Sequence, residues 1–187
     1  FNYQKALEYY NNSLDLKEYL GEERRISKSR NNIGQLYFEI GDFEHAMEMF
    51  ASALEIKKKL GDKRGIGITL KNIADVHLNK SEYDKAFEIL NECLDLWMKL
   101  NDFINIIDIE KSIGIVAFTK GNYPLALEHF SKMEQLLVDQ DALESVLDLS
   151  WSTLVYLKMK KELSGDITVE NLVELVENED INERDLI

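Results

Sequence analysis

Residues 33–54 read IGQLYFEIGDFEHAMEMFASAL, with the pair Gly41-Asp42 between two stretches rich in apolar residues. Glycine adopts the left-handed backbone conformation that ends a helix, and a following aspartate caps the next helix. On both sides of this pair the apolar residues recur at intervals of three and four, which is typical of amphipathic helices. The stretch therefore predicts two helices joined by a tight turn.

The same pattern recurs every forty residues. An aromatic residue stands three positions before an alanine four times, at Tyr3-Ala6, Phe43-Ala46, Tyr83-Ala86 and Tyr123-Ala126. A bulky residue follows each of these alanines by four positions, at Tyr10, Phe50, Leu90 and Phe130. A fixed period of this size indicates stacked helical repeats rather than a globular enzyme core.

Two breaks in each period indicate two helices per repeat. One set of breaks follows Leu20, Leu60 and Leu100, and the other lies at Gly41-Asp42, Ser81-Glu82 and Gly121-Asn122. Because Phe1 corresponds to Gly41, we expect a half repeat at the start, whose helix lacks a preceding partner. The expected array consists of a half repeat over residues 1–22 and repeats over 23–62, 63–102 and 103–141. The apolar face expected to need cover on the first helix comprises Tyr3, Ala6, Leu7 and Tyr10.

These residues resemble the tetratricopeptide repeat family, which has a small residue and an aromatic in the first helix, then alanine, a bulky residue and alanine in the second. The second repeat matches this pattern at Gly34, Tyr37, Ala46, Phe50 and Ala53. The resemblance covers residues 2 to 139, with forty residues per repeat instead of the usual thirty-four or so. Longer repeats of this kind are similar to those of spindle-orientation adaptors, kinesin light chains and bacterial regulators. The resemblance implies an all-α fold, a right-handed superhelical solenoid of antiparallel helix pairs.

Beyond residue 139 the period is lost. Residues 142–161 still predict a helix, which we interpret as a cap on the array, since solenoids end in a piece with a polar outer face. Residues 162–187 contain nine acidic residues and one basic residue and so carry −8 of the net charge of −13. We interpret this segment as an acidic C-terminal tail with a short helix over about 168–178.

Comparison of the repeats with one another locates a candidate binding face. The core stripe varies little between repeats, whereas a second stripe on the first helices varies freely. In the family this face lines the inner wall of the superhelix and holds extended peptides, whose backbone is bonded by asparagines. The resemblance therefore implies a peptide-binding groove lined by Lys28, Asn31, Asn32, Gln35, Phe38, Lys71, Asn72, Asp75, Leu78, Asn79, Lys111, Ser112, Ile115 and Phe118.

Within this set, Asn32 and Asn72 match the asparagine ladder of the family, and Ser112 matches it in chemistry only. Lys71 and Lys111 are expected to pair with carboxylates, which favours an acidic protein or peptide partner. An apolar side chain of the partner is expected to contact Phe38, Leu78 and Phe118. The alternative is that the asparagines only cap neighbouring helices. Asn31 and Asp108 stand where the chaperone-binding branch of the family has lysines, which argues against chaperone C-termini as ligands.

Nothing in the sequence predicts an enzyme, a cofactor or a metal site. The three histidines, His45, His77 and His129, occupy three different repeat positions, and none has the partner one helical turn away that a metal pair requires. The net charge of −13 repels phosphate, so we expect no nucleic acid partner. No run of eighteen apolar residues occurs, so we expect no membrane span.

The sequence favours a protein-interaction module, and it leaves a second function open. The alternative is a regulatory or sensory segment of a larger signalling protein, such as a cyclase, kinase or transcription regulator, acting by intramolecular contact or self-association through the open N-terminal helix. The single cysteine, Cys93, falls at a packing position and predicts a small buried side chain. One cysteine allows no internal disulfide, which favours a reducing, cytoplasmic location.

Overall fold

The structure is a computed structural model that describes residues 3–139. Seven helices occupy this range: α1 (Tyr3–Tyr19), α2 (Glu23–Glu39), α3 (Phe43–Lys59), α4 (Lys63–Asn79), α5 (Tyr83–Leu100), α6 (Phe103–Thr119) and α7 (Tyr123–Asp139). The described range contains no strand, and the predicted all-α class is confirmed. The helix predicted over 142–161 and the acidic tail predicted over 162–187 lie outside the described residues.

A left-handed residue stands at every twentieth position between helices. These residues have φ from +50° to +79° and are Gly21, Gly41, Gly61, Ser81, Asn101 and Gly121. After α2, for example, the Gly41 amide donates to the Phe38 carbonyl at 3.0 Å and the Asp42 amide donates to the Tyr37 carbonyl at 2.9 Å. These bonds satisfy carbonyls that the helix end leaves free. Connections of two or three residues reverse the chain, so that consecutive helices within a compact unit pack antiparallel.

Two aspartates begin the helices that follow these turns. The Asp42 carboxylate accepts from the His45 amide at 3.2 Å, and the Asp62 carboxylate accepts from the Gly65 amide at 3.0 Å. A side-chain cap of this kind stabilises a helix by about 1 kcal/mol. The predicted pairing of a left-handed glycine with a capping aspartate is therefore confirmed at Gly41-Asp42.

The chain divides into two compact units. Helices α1 to α5 belong to the first unit, Phe1–Asp102, and α6 and α7 belong to the second, which begins at Phe103. In the first unit each helix packs on the next one in the chain, and α2 also contacts α4. One apolar cluster of this unit is formed by Leu14, Ile26 and Ile33 with Leu7, Tyr10, Tyr37, Met49 and Ile56 packed against it. A second is formed by Ala46, Phe50, Ile73 and Val76 with their partly buried neighbours.

The face of α1 that was expected to need cover is partly buried. Leu7 and Tyr10 are half-buried and pack against Ile26 and Ile33 of α2. The exposed apolar residues at this end of the chain are Tyr9, Leu16, Tyr19 and Leu20. Ala6 and Tyr10 are less buried than their counterparts Ala46 and Phe50, which are fully buried.

The closest approach within a hairpin occurs where a glycine faces an aromatic ring. An added Cβ at Gly34 would lie 2.7 Å from Cε1 of Phe50, and one at Gly114 would lie 2.5 Å from Cε1 of Phe130. Both rings are fully buried. At the same register the middle repeat has Ala74, which is larger than glycine, and Leu90, which is smaller than phenylalanine. The two positions therefore compensate one another in volume.

The expected burial of Cys93 is confirmed. The side chain is fully buried, and its Sγ donates to the Gly67 carbonyl at 3.3 Å. Gly67 lies inside α4, where the Trp97 ring packs so closely that an added Cβ would lie 2.6 Å from its Cε2 atom. Gly67 thus has a packing role inside α4.

The second unit contains a buried polar pair between α6 and α7. Nδ1 of His129 lies 2.6 Å from Oε2 of Glu110, with side-chain exposures of 8% and 6%. The surrounding cluster is apolar and includes Ala117, Ala126, Phe130 and Met133. The preceding repeat carries Leu70 and Ile89 at the same two register positions. This pair therefore stands where the preceding repeat has two apolar residues.

We predict that Gly34→Ala lowers the free energy of unfolding, because the buried Phe50 ring has no room to yield. Alanine is the better helix former by about 1 kcal/mol, whereas overpacking costs about 1–3 kcal/mol, so the expected net loss is about 1 kcal/mol. Urea denaturation followed by circular dichroism measures it. The double variant Gly34→Ala/Phe50→Leu reproduces the Ala74 and Leu90 combination and should recover part of the loss of the single variants. Strict additivity of the two substitutions would contradict the proposed compensation.

We predict opposite outcomes for a single and a double substitution at the buried pair. His129→Ile alone leaves the Glu110 carboxylate buried without its partner and should destabilise the protein by about 3–5 kcal/mol. Glu110→Leu/His129→Ile, which copies the residues of the preceding repeat, should be neutral or stabilising by about 1–4 kcal/mol. Thermal and urea unfolding at neutral pH measure both. A double variant as unstable as the single one would show that the pair itself is required.

Candidate functional site

Ten of the fourteen predicted groove residues lie on two helices of the first unit that contact each other. Five are on α2 and five on α4, namely Lys28, Asn31, Asn32, Gln35 and Phe38, and Lys71, Asn72, Asp75, Leu78 and Asn79. The other four lie on α6 in the second unit and are Lys111, Ser112, Ile115 and Phe118. The first ten thus lie on two helices that contact each other, and the other four, two polar and two apolar, lie on a helix of the second unit.

Asn32 and Asn72 occupy the same register, forty residues apart, in the middle of α2 and α4. Asn32 is exposed and Asn72 is half-buried. Across residues 3–139, hydrogen bonds within the protein engage the side-chain amides of several asparagines, such as Asn79 and Asn91, but not those of Asn32 and Asn72. Each amide therefore retains a donor and an acceptor for another molecule. Neither asparagine caps a helix, which removes support from the alternative that they do so.

Asn31 is engaged inside the protein. Its side-chain oxygen accepts from Lys57 Nζ at 3.2 Å and from Thr69 Oγ1 at 2.9 Å, which joins α2, α3 and α4. Lys57 also donates to Thr69 Oγ1 at 2.6 Å and is only 5% exposed. Burial lowers the pKa of the Lys57 ammonium, and the nearby Asp62 carboxylate acts in the opposite direction. Asn31 thus satisfies a buried lysine, a role that its position beside Asn32 did not suggest.

Sequence reasoning missed this polar contact between helices, although a periodic signal for it exists. Lys17 Nζ donates to Ser29 Oγ at 2.6 Å, twelve residues further on, just as Lys57 donates to Thr69. Both the lysines and the hydroxyl residues are forty positions apart. A lysine repeated at a register that packs against the next helix, together with a repeated hydroxyl, indicates a hydrogen bond between helices.

Two of the predicted groove residues on α4 form an ion pair within the helix. Lys71 Nζ lies 2.9 Å from each carboxylate oxygen of Asp75, and the Asn79 amide donates to the Asp75 carbonyl at 2.9 Å. On α2, the Gln35 amide lies 3.5 Å from the Glu39 carboxylate, while Lys28 is exposed. The predicted groove residues on α2 and α4 therefore include Lys71, which is already paired with a carboxylate, and the exposed Lys28 of the preceding repeat.

The aromatic residues predicted to contact a partner pack mainly within their own hairpins. The Phe38 ring lies 5.8 Å from the Phe43 ring, and the Phe118 ring lies 5.4 Å from the Tyr123 ring. Phe118 is only 7% exposed, so most of its surface is part of the core of the second unit. Leu78 and Ile115 are half-buried. These side chains offer less apolar surface to a ligand than the sequence alone implied.

On α6 the serine at the asparagine register is already hydrogen-bonded. Ser112 Oγ donates to the Asp108 carbonyl at 2.9 Å, and the residue is 9% exposed. Lys111 on the same helix is half-buried. The second unit therefore lacks an amide at the register of Asn32 and Asn72, which leaves those two asparagines as the matching pair.

The histidines do not gather into a metal site in the described range. Each one contacts a different carboxylate: His45 lies beside Asp42, His77 beside Glu82 and His129 beside Glu110. Within residues 3–139, no three side chains of histidine, cysteine, aspartate or glutamate are grouped as metal ligands. None of the helices in that range has the length and apolarity needed to span a bilayer.

Comparison with known proteins adds a family match over the first third of the chain and a shared fold. Residues 1–59 match the family model described as tetratricopeptide repeat. No curated protein sequence matches the chain. Among solved structures, the fold is similar to that of a Rap protein complexed with competence and sporulation factor, at 19% identity and a TM-score of 0.71. That comparison covers 94% of this chain and 48% of the Rap protein.

Two further structures share the fold. One is a signal transduction ATPase with a tetratricopeptide repeat sensor from Pyrococcus horikoshii, at 16% identity and a TM-score of 0.73, with 94% of this chain and 26% of that one covered. The other is a putative kinesin light chain from Podosopora anserina, at 13% identity and a TM-score of 0.69, with coverage of 94% and 84%. The chain thus spans about half of the Rap protein and a quarter of the ATPase. Residues 1–59 thus match the tetratricopeptide repeat family, and the helices share the fold of these solved structures.

Proposed function

We propose that this chain is a protein-interaction module in which α2 and α4 hold an extended segment of a partner protein. The observation that carries the proposal is the pair of uncommitted amides at Asn32 and Asn72. An uncommitted amide on a helix surface can donate to a backbone carbonyl and accept from a backbone N–H of a ligand. The proposed function requires no catalysis and no cofactor, and we place it in the cytoplasm because the single cysteine, Cys93, suits a reducing compartment.

An extended ligand would cross from one of these helices to the other within a few residues. Packed helices lie roughly 8–10 Å apart, and an extended chain advances roughly 3.3 Å per residue. The asparagines of two helices in contact, α2 and α4, would therefore meet ligand backbone groups about three residues apart. Backbone hydrogen bonds of this kind give affinity without demanding a particular ligand sequence. Selectivity among ligand sequences would come from the charged side chains around the asparagines.

We predict that Asn32→Ala/Asn72→Ala weakens ligand binding about 10- to 100-fold, since each neutral hydrogen bond contributes about 0.5–1.5 kcal/mol. The probe is a peptide selected from a random display library against the native chain, and calorimetry measures its affinity. Thermal unfolding should stay unchanged, because neither amide bonds within the protein. A matched control is Asn91→Ala on α5, whose amide donates to the Phe87 carbonyl and not to a ligand. Equal affinities of the double variant and the native chain would remove the groove proposal.

An acidic partner is a further part of the proposal. It is supported by the exposed Lys28 and by Lys71, although Asp75 already contacts the latter. A ligand carboxylate would have to replace Asp75 beside the Lys71 ammonium. An intrahelical pair of this type contributes only about 0.3–0.5 kcal/mol, so the exchange has a small cost.

We predict that Asp75→Asn tightens the binding of an acidic selected peptide about two- to fivefold, because it removes the competing carboxylate at a cost of a few tenths of a kcal/mol. The backbone bond from Asn79 to residue 75 is retained in this variant. A neutral version of the same peptide, with glutamine for each glutamate, serves as the control and should gain nothing. Unchanged or weaker binding of the acidic peptide would show that Lys71 does not contact the ligand.

A regulatory role through self-association or contact within a larger protein is the second candidate. It is supported by the exposed apolar side chains at the N-terminal end of the first unit, Tyr9, Leu16, Tyr19 and Leu20. This surface is separate from the asparagines, so both roles are compatible with one chain.

A further inference from the structure

Ile68 is an exposed apolar side chain beside the polar residues of α4. It lies four positions before Asn72, so the two side chains share one face of the helix. The isoleucine is 49% exposed, and its polar neighbours on the helix include Lys71 and Asp75. A single exposed isoleucine is ordinary on a protein surface. This one, however, stands one helical turn from an amide that is available to a ligand.

Lys28 occupies the same register on α2. It lies four positions before Asn32, just as Ile68 lies four positions before Asn72. Lys28 is exposed, and within residues 3–139 no hydrogen bond or ion pair engages its ammonium group. The lysine and the isoleucine therefore hold equivalent positions on two helices that contact each other.

The two registers differ in how much they vary along the chain. The asparagine register stays polar in three repeats, with Ser112 as its third member. The register four positions earlier changes from a cation to an aliphatic residue to an anion, at Lys28, Ile68 and Asp108. In extended-peptide recognition, backbone bonds supply affinity and the surroundings of the side chains supply specificity. A constant register suits the ligand backbone, and a variable register suits the ligand side chains.

The separation of packed helices restricts the conformation of the ligand. Packed helices lie roughly 8–10 Å apart, and a polyproline II chain advances roughly 9.3 Å in three residues, which is one full turn. Residues three apart in that conformation face the same side. In a β-strand the side chains alternate, so residues three apart face opposite sides. Of these two extended conformations, polyproline II presents equivalent groups to both helices at this spacing.

We propose that the groove binds a segment in the polyproline II conformation that carries an acidic and an apolar residue three positions apart. The acidic side chain contacts Lys28 and the apolar side chain contacts Ile68, while the ligand backbone meets Asn32 and Asn72. This inference rests on the proposed function and adds to it the conformation of the ligand and two of its side chains. Ile68 thereby becomes a residue that determines specificity, beside the groove residues predicted from the sequence.

The test exchanges the two residues between the registers. Ile68→Lys places a lysine at both positions, and Lys28→Ile places an isoleucine at both. Peptides are selected from one random display library against the native chain and against each variant, and their sequences are compared. We expect the native chain to select an acidic and an apolar residue three apart. Ile68→Lys should select two acidic residues at that spacing, and Lys28→Ile should select two apolar residues.

Calorimetry measures the same exchange as a change in affinity. A peptide selected against the native chain should bind Ile68→Lys about five- to tenfold more weakly, because the contact between two apolar side chains is lost. Glutamate in place of the apolar residue of that peptide should restore its binding to Ile68→Lys. The matched control is Ile40→Lys, which substitutes a similarly exposed isoleucine, at 43%, in the turn after α2. This control should alter neither the selected sequences nor the affinity.

The spacing within the selected peptides decides the outcome. A spacing of two would indicate a β-strand, and a spacing of seven would indicate a helix, which advances roughly 10.5 Å in two turns. Either spacing, or identical selections by the native chain and Ile68→Lys, would overturn the inference.

Failure of the inference is distinguishable from failure of the proposed function. If Asn32→Ala/Asn72→Ala weakens the selected peptides but the residue pair is absent, the groove stands and this inference fails. Selected peptides that are insensitive to the double variant would remove the groove, and the inference with it.

Discussion

The edge of a phenylalanine ring against a glycine backbone sets how closely the two helices of a pair approach. Phe50 and Phe130 are fully buried only because Gly34 and Gly114 have no side chain. Where the small residue is Ala74, the bulky partner is Leu90, so the volume of the pair is kept while its members change. Since protein interiors are packed as densely as organic crystals, this contact leaves little freedom to neighbouring side chains. The positions of the variable residues on α2 and α4 depend on it.

The helix boundaries could be predicted because glycine and capping residues recur with the period. The structure places a left-handed residue at each predicted break, including Ser81 and Asn101, which are not glycine. How deeply each apolar residue of α1 is buried could not be predicted from spacing alone. Leu7 and Tyr10 belong to an apolar stripe, and so do Tyr9 and Leu16, and only the stacking direction decides which stripe meets α2.

For the candidate site, the sequence located the residues but not their partners. Lys71 and Asp75 are four positions apart on one helix, so their ion pair was accessible to sequence reasoning. The bonds from Lys57 and Thr69 to Asn31 join three helices and depend on how the helices stack. Asn32 and Asn31 are adjacent in sequence, but only the Asn31 side chain is hydrogen-bonded within the protein. A helix turns about 100° per residue and so presents the two side chains to different surroundings. The distinction between an available amide and a structural one therefore requires coordinates.

The left-handed residues recur every twenty positions, and this has a consequence for how such a chain can change in length. Two successive segments of twenty residues make one complete pair, the first beginning with a helix like α2 and the second with one like α3. Gain or loss of a single segment would assign every later helix the opposite role, so that glycines would meet glycines and rings would meet rings. A chain of this kind is therefore expected to gain or lose length in steps of forty residues, with the repeats joined at matching turns.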